Sequence, residues 1–165
     1  MKRHIASGAL VIALAVPALA GCSSAVQGAV EKAAGDAIGG NVDINSNGLS
    51  VTDSNGNQVQ IGSDVTMPDN WPAAVPKFDG GKLTSVMVAG DGASVNAMWS
   101  TDASAADAAK AYGDALTGAG FTQDQTTNAG GVESSQYSGN GYTVNVVVSS
   151  AGDGTTVLVN AEKSS

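Results

Sequence analysis

The sequence has very few of the residues that carry enzyme or metal chemistry. Among its 165 residues there is one cysteine, Cys22, and one histidine, His4. A single cysteine excludes a disulfide within the chain. It also excludes a structural zinc site, which needs four Cys or His ligands.

Positive charge is scarce as well. Seven Lys and Arg residues stand against fifteen Asp and Glu residues, for a net charge of −8, and Arg3 is the only arginine. Nucleic-acid binding needs clustered Lys and Arg to displace counterions from phosphate. The composition therefore predicts no nucleic-acid partner and no attraction to anionic lipid headgroups.

The first residues have the pattern of an export signal. Met1-Lys2-Arg3-His4 forms a short basic start, and the run from Ala9 to Ala20 carries no charge. These two features are typical of the n-region and h-region of a signal peptide. The apolar run is shorter than the roughly 20 residues that a membrane-spanning helix needs.

The end of this run, Leu19-Ala20-Gly21-Cys22, resembles the lipobox of bacterial lipoproteins. The resemblance implies that Cys22 becomes the first mature residue and bears a diacylglyceryl group. Two acyl chains anchor a protein stably to a membrane, whereas one chain binds only weakly. We therefore expect an exported protein held at the outer face of the cell membrane by the lipid on Cys22.

An ordinary secretory signal is the alternative interpretation of the same residues. Ala18-Leu19-Ala20 also fits the small-x-small rule of the general signal peptidase. Cleavage there leaves Gly21 first and Cys22 as a free thiol, which is a liability in an oxidising compartment.

Removal of the leader also removes the histidine and the arginine. Five lysines then remain against fifteen acidic residues: Lys32, Lys77, Lys82, Lys110 and Lys163. Catalytic groups of the Ser-His-Asp or Cys-His type are excluded for lack of histidine. We expect a protein that is not an enzyme.

The chain divides by composition into five parts. They are a signal peptide, a lipid-bearing tether, a β-meander, a proline-containing connector and an α+β domain, at 1–21, 22–41, 42–62, 63–81 and 82–165. In the meander, Asn47-Gly48 and Asn55-Gly56 predict two type I′ hairpin turns between three strands.

The last part alternates strand-like and helix-like patterns in the order strand, strand, helix, strand, strand, strand. Thr101, Asp102 and Ser104 are candidate caps for a helix that runs to about Thr117. Phe121 follows as the hydrophobic closure of its C-terminal cap. We therefore expect an α+β fold, with an antiparallel sheet of about five strands and one helix packed on a face, preceded by the β-meander and the tether.

Two further segments resemble small lipoproteins of actinomycetes. They are Trp71-Pro72-Ala73-Ala74-Val75-Pro76 before the first domain strand and Ala115-Leu116-Thr117-Gly118-Ala119-Gly120-Phe121 at the helix exit. The resemblance covers roughly residues 42–163. It implies no activity, because its motifs are structural.

One segment suggests a metal. Residues 43–48 read Asp-Ile-Asn-Ser-Asn-Gly, which matches the opening of a calcium loop. The twelfth position is Ser54, where the calcium loop requires a bidentate Glu. An asparagine-rich hairpin explains the same residues. The candidate calcium ligands are Asp43, Asn45, Asn47 and Asp53, and we otherwise expect no cofactor.

Three functions follow, in descending order of support. The first is a lipid-anchored envelope protein with a non-enzymatic binding or structural role, its partner an envelope protein that the sequence does not identify. The second is a calcium-binding surface domain. The third is a carboxylate-dependent hydrolase of envelope polymers, with candidate pairs at Asp102 with Asp107 and Asp91 with Asp153.

The lipid anchor makes a direct prediction for protein taken from its native host. Mass spectrometry should find Cys22 at the N-terminus, heavier than the bare polypeptide by the mass of its acyl groups. A soluble product that begins at Gly21 with an intact thiol would contradict this prediction.

Overall fold

The computed structural model describes residues 24–152 and 154–164. The described chain forms two helices and nine strands. In chain order they are α1 Ser24–Ile38, β1 Asn41–Asn45, β2 Gly48–Thr52, β3 Gln58–Gly62, β4 Lys82–Ala89, β5 Ser94–Thr101, α2 Ala105–Gly118, β6 Thr122–Ala129, β7 Val132–Gly139, β8 Tyr142–Ala151 and β9 Gly154–Lys163.

All nine strands belong to one antiparallel sheet, in the order β1-β2-β3-β4-β5-β9-β8-β7-β6. The predicted fold class is therefore wrong. The protein is mostly β, with one nine-stranded sheet and two short helices, and not a sheet of about five strands with one helix behind a separate meander. The reason is that β3 pairs with β4, with Val59 opposite Met87, so the meander extends the main sheet.

The connector between β3 and β4 enters the core. Its side chains Trp71, Val75 and Phe78 are all buried. The ring of Trp71 meets Trp99 of β5 edge-on, with ring centroids 6.2 Å apart, and its indole N–H donates to the Val75 carbonyl at 2.8 Å. A chain that lacks a bulky aliphatic core thus closes one face of the sheet with aromatic residues.

Helix α2 covers the rest of that face. On this covered face, alternate residues of β4, β5, β8 and β9 are buried, as expected for strands with one face in the core. The buried side chains that the sheet and α2 contribute are Val86, Val88, Val95, Ala97, Trp99, Ala108, Ala109, Tyr112, Leu116, Tyr137, Val144, Val146, Val148, Val157, Val159 and Ala161.

Both ends of α2 are capped as their residues predict. The Ser104 hydroxyl accepts from the backbone N–H of Asp107 at 3.1 Å and donates to its carboxylate at 2.7 Å. At the other end Gly120 has a positive φ of 90°, and the N–H of Phe121 donates to the Leu116 carbonyl at 3.0 Å. This is a Schellman motif, and the burial of Phe121 completes it.

The two turns of the meander differ from the prediction. Neither Asn47 nor Asn55 has the positive φ that a type I′ turn requires of both its central residues. Instead the Asn45 side chain accepts from the N–H groups of Asn47 and Gly48, at 2.8 and 3.1 Å. The type I′ prediction is wrong because the polar residue that precedes each turn, Asn45 or Asp53, holds the backbone with its own side chain.

Helix α1 lies along β1, at one edge of the sheet. The Glu31 carboxylate accepts from the backbone N–H of Ile44 at 2.9 Å, which satisfies one donor of that edge. The Lys32–Asp36 pair on its outer side is exposed, at 3.0 Å, and adds little stability. In the described part of the chain, no helix is both long and apolar enough to span a bilayer.

Two glycines of α2 give a matched test of this packing. A Cβ added at Gly113 would lie 2.7 Å from the Tyr137 hydroxyl, whereas a Cβ at Gly118 would meet nothing within 4 Å. We expect Gly118→Ala to raise the free energy of unfolding by up to about 1 kcal/mol, since alanine is the better helix former. We expect Gly113→Ala to lower it by roughly 1–3 kcal/mol through overpacking. Thermal denaturation measures both, and stabilisation by Gly113→Ala would contradict the placement of α2 on β7.

Candidate functional site

The two faces of the sheet are used differently. The covered face carries α2 and the connector. On the opposite face of β4 to β9, no element of the described chain packs, and its residues are half-buried or exposed. We call this surface, with its continuation over β1 to β3, the open face.

A row of amide side chains crosses the open face. The strand registers place one amide opposite the next across five neighbouring strands: Asn96 on β5, Asn160 on β9, Asn145 on β8, Gln136 on β7 and Gln125 on β6. We call these five residues the amide row. Neighbouring strands lie about 4.8 Å apart, so the row repeats donors and acceptors at a regular spacing.

Two hydrogen bonds join members of the amide row. The Asn96 side-chain amide donates to the Asn160 side-chain carbonyl, and the Gln136 amide donates to the Asn145 carbonyl at 3.2 Å. An amide group has two donor hydrogens and an acceptor oxygen with two lone pairs. These side chains therefore keep donors and acceptors free for a ligand.

An apolar row runs parallel to the amide row. It consists of Ile44, Leu49, Ile61, Met98, Leu158 and Val147, with Ser85 between the third and fourth members. Toward β1 the amide row itself continues as apolar residues, which are Met87, Val59, Val51 and Val42. Ile61 is 51% exposed and Met87 48%. Contiguous exposed apolar surface on this scale is typical of interaction sites.

Charge is confined to the margins of the open face. Lys82 is the first residue of β4, Glu162 is near the end of β9, and Asp124 is near the start of the edge strand β6. On the other side of the molecule, the exposed face of α2 carries the Lys110–Asp114 pair. The two rows at the centre of the open face thus contain no charged side chain, although the protein is strongly acidic.

The four predicted calcium ligands do not come together. Asp43, Asn45 and Asn47 line a depression of 90 Å³ that Asp64 also borders. Asp43 pairs with Ser50 of β2. Asp53 lies three residues beyond Ser50, just after the end of β2. Three strand residues span about 10 Å.

Hydrogen bonds within the protein already use several oxygens of these candidate calcium ligands. The Asn45 side-chain carbonyl oxygen accepts two backbone N–H groups, and one carboxylate oxygen of Asp43 accepts from the Asn45 side-chain amide at 2.7 Å. The oxygens left for a cation belong mainly to Asp43, Asn47 and Asp64. In the described residues no group of three or more His, Cys, Asp or Glu side chains is arranged to hold a metal ion.

Asp53 instead holds the β2–β3 turn. One of its oxygens accepts the backbone N–H groups of Asn55 and Asn57, at 2.8 and 2.9 Å. The other accepts the Asn57 side-chain amide at 2.7 Å. These bonds, that of the Asn57 side chain foremost, lower the pKa of the Asp53 carboxyl below its ordinary value.

Of the four predicted catalytic carboxylates, one has a structural hydrogen-bond partner in the described residues. Asp107 belongs to the N-cap of α2 through Ser104, and Asp102 lies just before that helix, exposed. Asp91 is in the β4–β5 turn with a positive φ of 51°. Its predicted partner Asp153 lies outside the described residues.

The lipobox residues Leu19, Ala20, Gly21 and Cys22 also lie outside the described residues. The open face is not among the sequence-based predictions. Its signal is the alternation of polar and apolar residues within each strand, but the rows exist only once the strand order and registers are known.

The Asp53 turn yields a test that separates structure from metal binding. We expect Asp53→Asn to lower the melting temperature equally with and without calcium, because the carboxylate holds the turn. Because the pKa of the Asp53 carboxyl is lowered, the stabilisation by its carboxylate is fully present above pH 3.8, the ordinary pKa of this group. It is lost as the pH falls through the pKa of the folded state. The difference in melting temperature between wild type and variant should therefore narrow in acid. Loss of a calcium-dependent rise in melting temperature in this variant would contradict the assignment.

Comparison with known proteins gives no relative from which a function can be carried over. No protein-family description, no curated protein sequence and no solved structure matches this chain.

Proposed function

We propose that this chain is a lipid-anchored cell-envelope protein with a non-enzymatic binding role, and that its contact surface is the open face. The observation that carries the proposal is the asymmetry of the sheet. One face of β4 to β9 is sealed by α2 and aromatic residues, while the other face presents ordered rows of amide and apolar side chains.

The proposed anchor holds the folded part close to the membrane. Helix α1 begins at Ser24, two residues after the cysteine of the lipobox-like motif. Two residues span at most about 7 Å. Because α1 lies against β1, the sheet would have little freedom to leave the bilayer surface, which suits a partner in the same membrane or just above it.

The low charge and the rigidity of the open face support binding through a broad contact surface. Interfaces between proteins are depleted of charge at their centres, and the open face carries its charges only at the margins. The strands that build it are tied together along their whole length, so the surface is rigid and loses little freedom on binding.

Calcium binding is the second candidate, and the depression beside Asp43 is the observation that favours it. Its oxygen-bearing lining includes Asp43, Asn47 and Asp64, and oxygen ligands suit calcium. Millimolar calcium should raise the melting temperature if the site forms, and Asp43→Asn or Asp64→Asn should remove the rise. The absence of any rise in the wild-type protein would exclude this function.

The proposed binding role can be tested in the native membrane by photo-crosslinking. A photoreactive residue in place of Val147, which lies in the centre of the open face, should give a covalent product of higher mass. The matched control is the same residue in place of Ala111, which is exposed on α2, and it should give none. The proposal fails if Val147 and Ala111 label alike or if Val147 gives no product.

A further inference from the structure

We infer that the partner of the open face is a second copy of this chain, and that the two sheets pack face to face as a two-layered β-sandwich. The inference rests on the proposed function and names the occupant of the same surface. Three observations carry it: the area of the face, its chemical pattern and the position of the proposed anchor.

The area is sufficient for a stable pair. Six strands, β4 to β9, of mostly eight to ten residues make up the main part of the face. At strand spacings near 4.8 Å and a rise near 3.3 Å per residue, this part measures about 29 Å by 26 Å, or about 750 Å² in projection. Strand β3 adds to it, because an axis at β9 places β3 opposite β6 of the other copy, and a stable interface needs about 800 Å² per partner.

The chemical pattern of the face is complementary to itself. The rows run across the strands, so a two-fold axis parallel to the strands exchanges strands but leaves every row at its own level. With the axis at β9, Asn160 lies opposite its own copy and Asn96 lies opposite Asn145. The apolar row repeats this arrangement, with Met98 opposite Val147. Amides donate and accept, so these central amides can pair with each other across the axis, as a two-fold interface requires.

The same axis suits the proposed anchor. Rotation about an axis parallel to the strands leaves the two α1 helices at the same level, since only positions across the sheet are exchanged. The start of α1 at Ser24 therefore lies at the same end of the pair in both copies, so that the proposed lipids would enter one membrane. Attachment to a common membrane raises the effective concentration of each copy for the other.

The first test measures mass by sedimentation of the mature lipidated protein in detergent. The wild type should sediment with the protein mass of two chains. Asn160→Asp places like charges opposite each other near the axis and should weaken the pair roughly tenfold or more, with partial recovery at high salt. Ala111→Glu, which adds the same charge on exposed α2, should leave the pair intact.

A second variant and a check of folding keep the test decisive. Leu158→Glu places charge in the apolar row and should also give single chains, and circular dichroism melting shows which variants fold. If Leu158→Glu does not fold, the mass of the Asn160→Asp variant alone decides whether the pair forms through the open face. A single-chain mass for the wild type, or a pair unaffected by folded Asn160→Asp, overturns the inference.

The crosslinking result separates this inference from the proposed function. A Val147 product with the mass of two chains of this protein supports both. The wild type could instead sediment as a single chain while Val147 crosslinks to a different protein or to lipid. That result overturns the inference of a second copy but still supports a binding role for the open face. A single chain without any Val147 product overturns both.

Discussion

The pairing of β5 with β9 is the contact on which the rest of the structure depends. It joins the first five strands to the last four, through a continuous register from Ser94 opposite Glu162 to Thr101 opposite Thr155. One set of alternate residues, with Val95 and Trp99, builds the core, and the other set builds the open face. A slip of one residue would exchange the two sets, so the core and the candidate site are fixed by the same register.

The core and the open face place different demands on the same strands. Toward the core the central strands present valine and alanine, and bulk comes from Trp99, Tyr112 and the connector aromatics. The Tyr112 hydroxyl donates to the Pro76 carbonyl at 2.8 Å, and burial raises the pKa of that hydroxyl. This tyrosine therefore stays protonated at neutral pH and ties α2 to the connector through its hydrogen bond. At the centre of the open face the side chains are either polar and uncharged or apolar, although exposure to solvent alone would favour charged residues.

The local elements could be predicted from the sequence because their causes are local. Ser104 caps α2 as expected, Phe121 closes it, and Asn140 in the β7–β8 turn has the positive φ that an Asn-Gly turn needs. The β3–β4 pairing could not be predicted, because a nineteen-residue connector with three prolines resembles a domain boundary. In the structure that connector folds back into the core. The amide row depends on four strand registers at once, and no single segment of the sequence contains that information.

The core and the open face therefore both depend on one nine-stranded sheet in a defined register. Nuclear Overhauser effects in the isotope-labelled protein test it most directly, between the backbones of Asn96 and Asn160 and between those of Val59 and Met87. The account predicts cross-strand contacts for both pairs. Contacts shifted by one residue at the first pair would reverse the two faces, and a missing second pair would separate the meander from the sheet. Either result would contradict the open face as described.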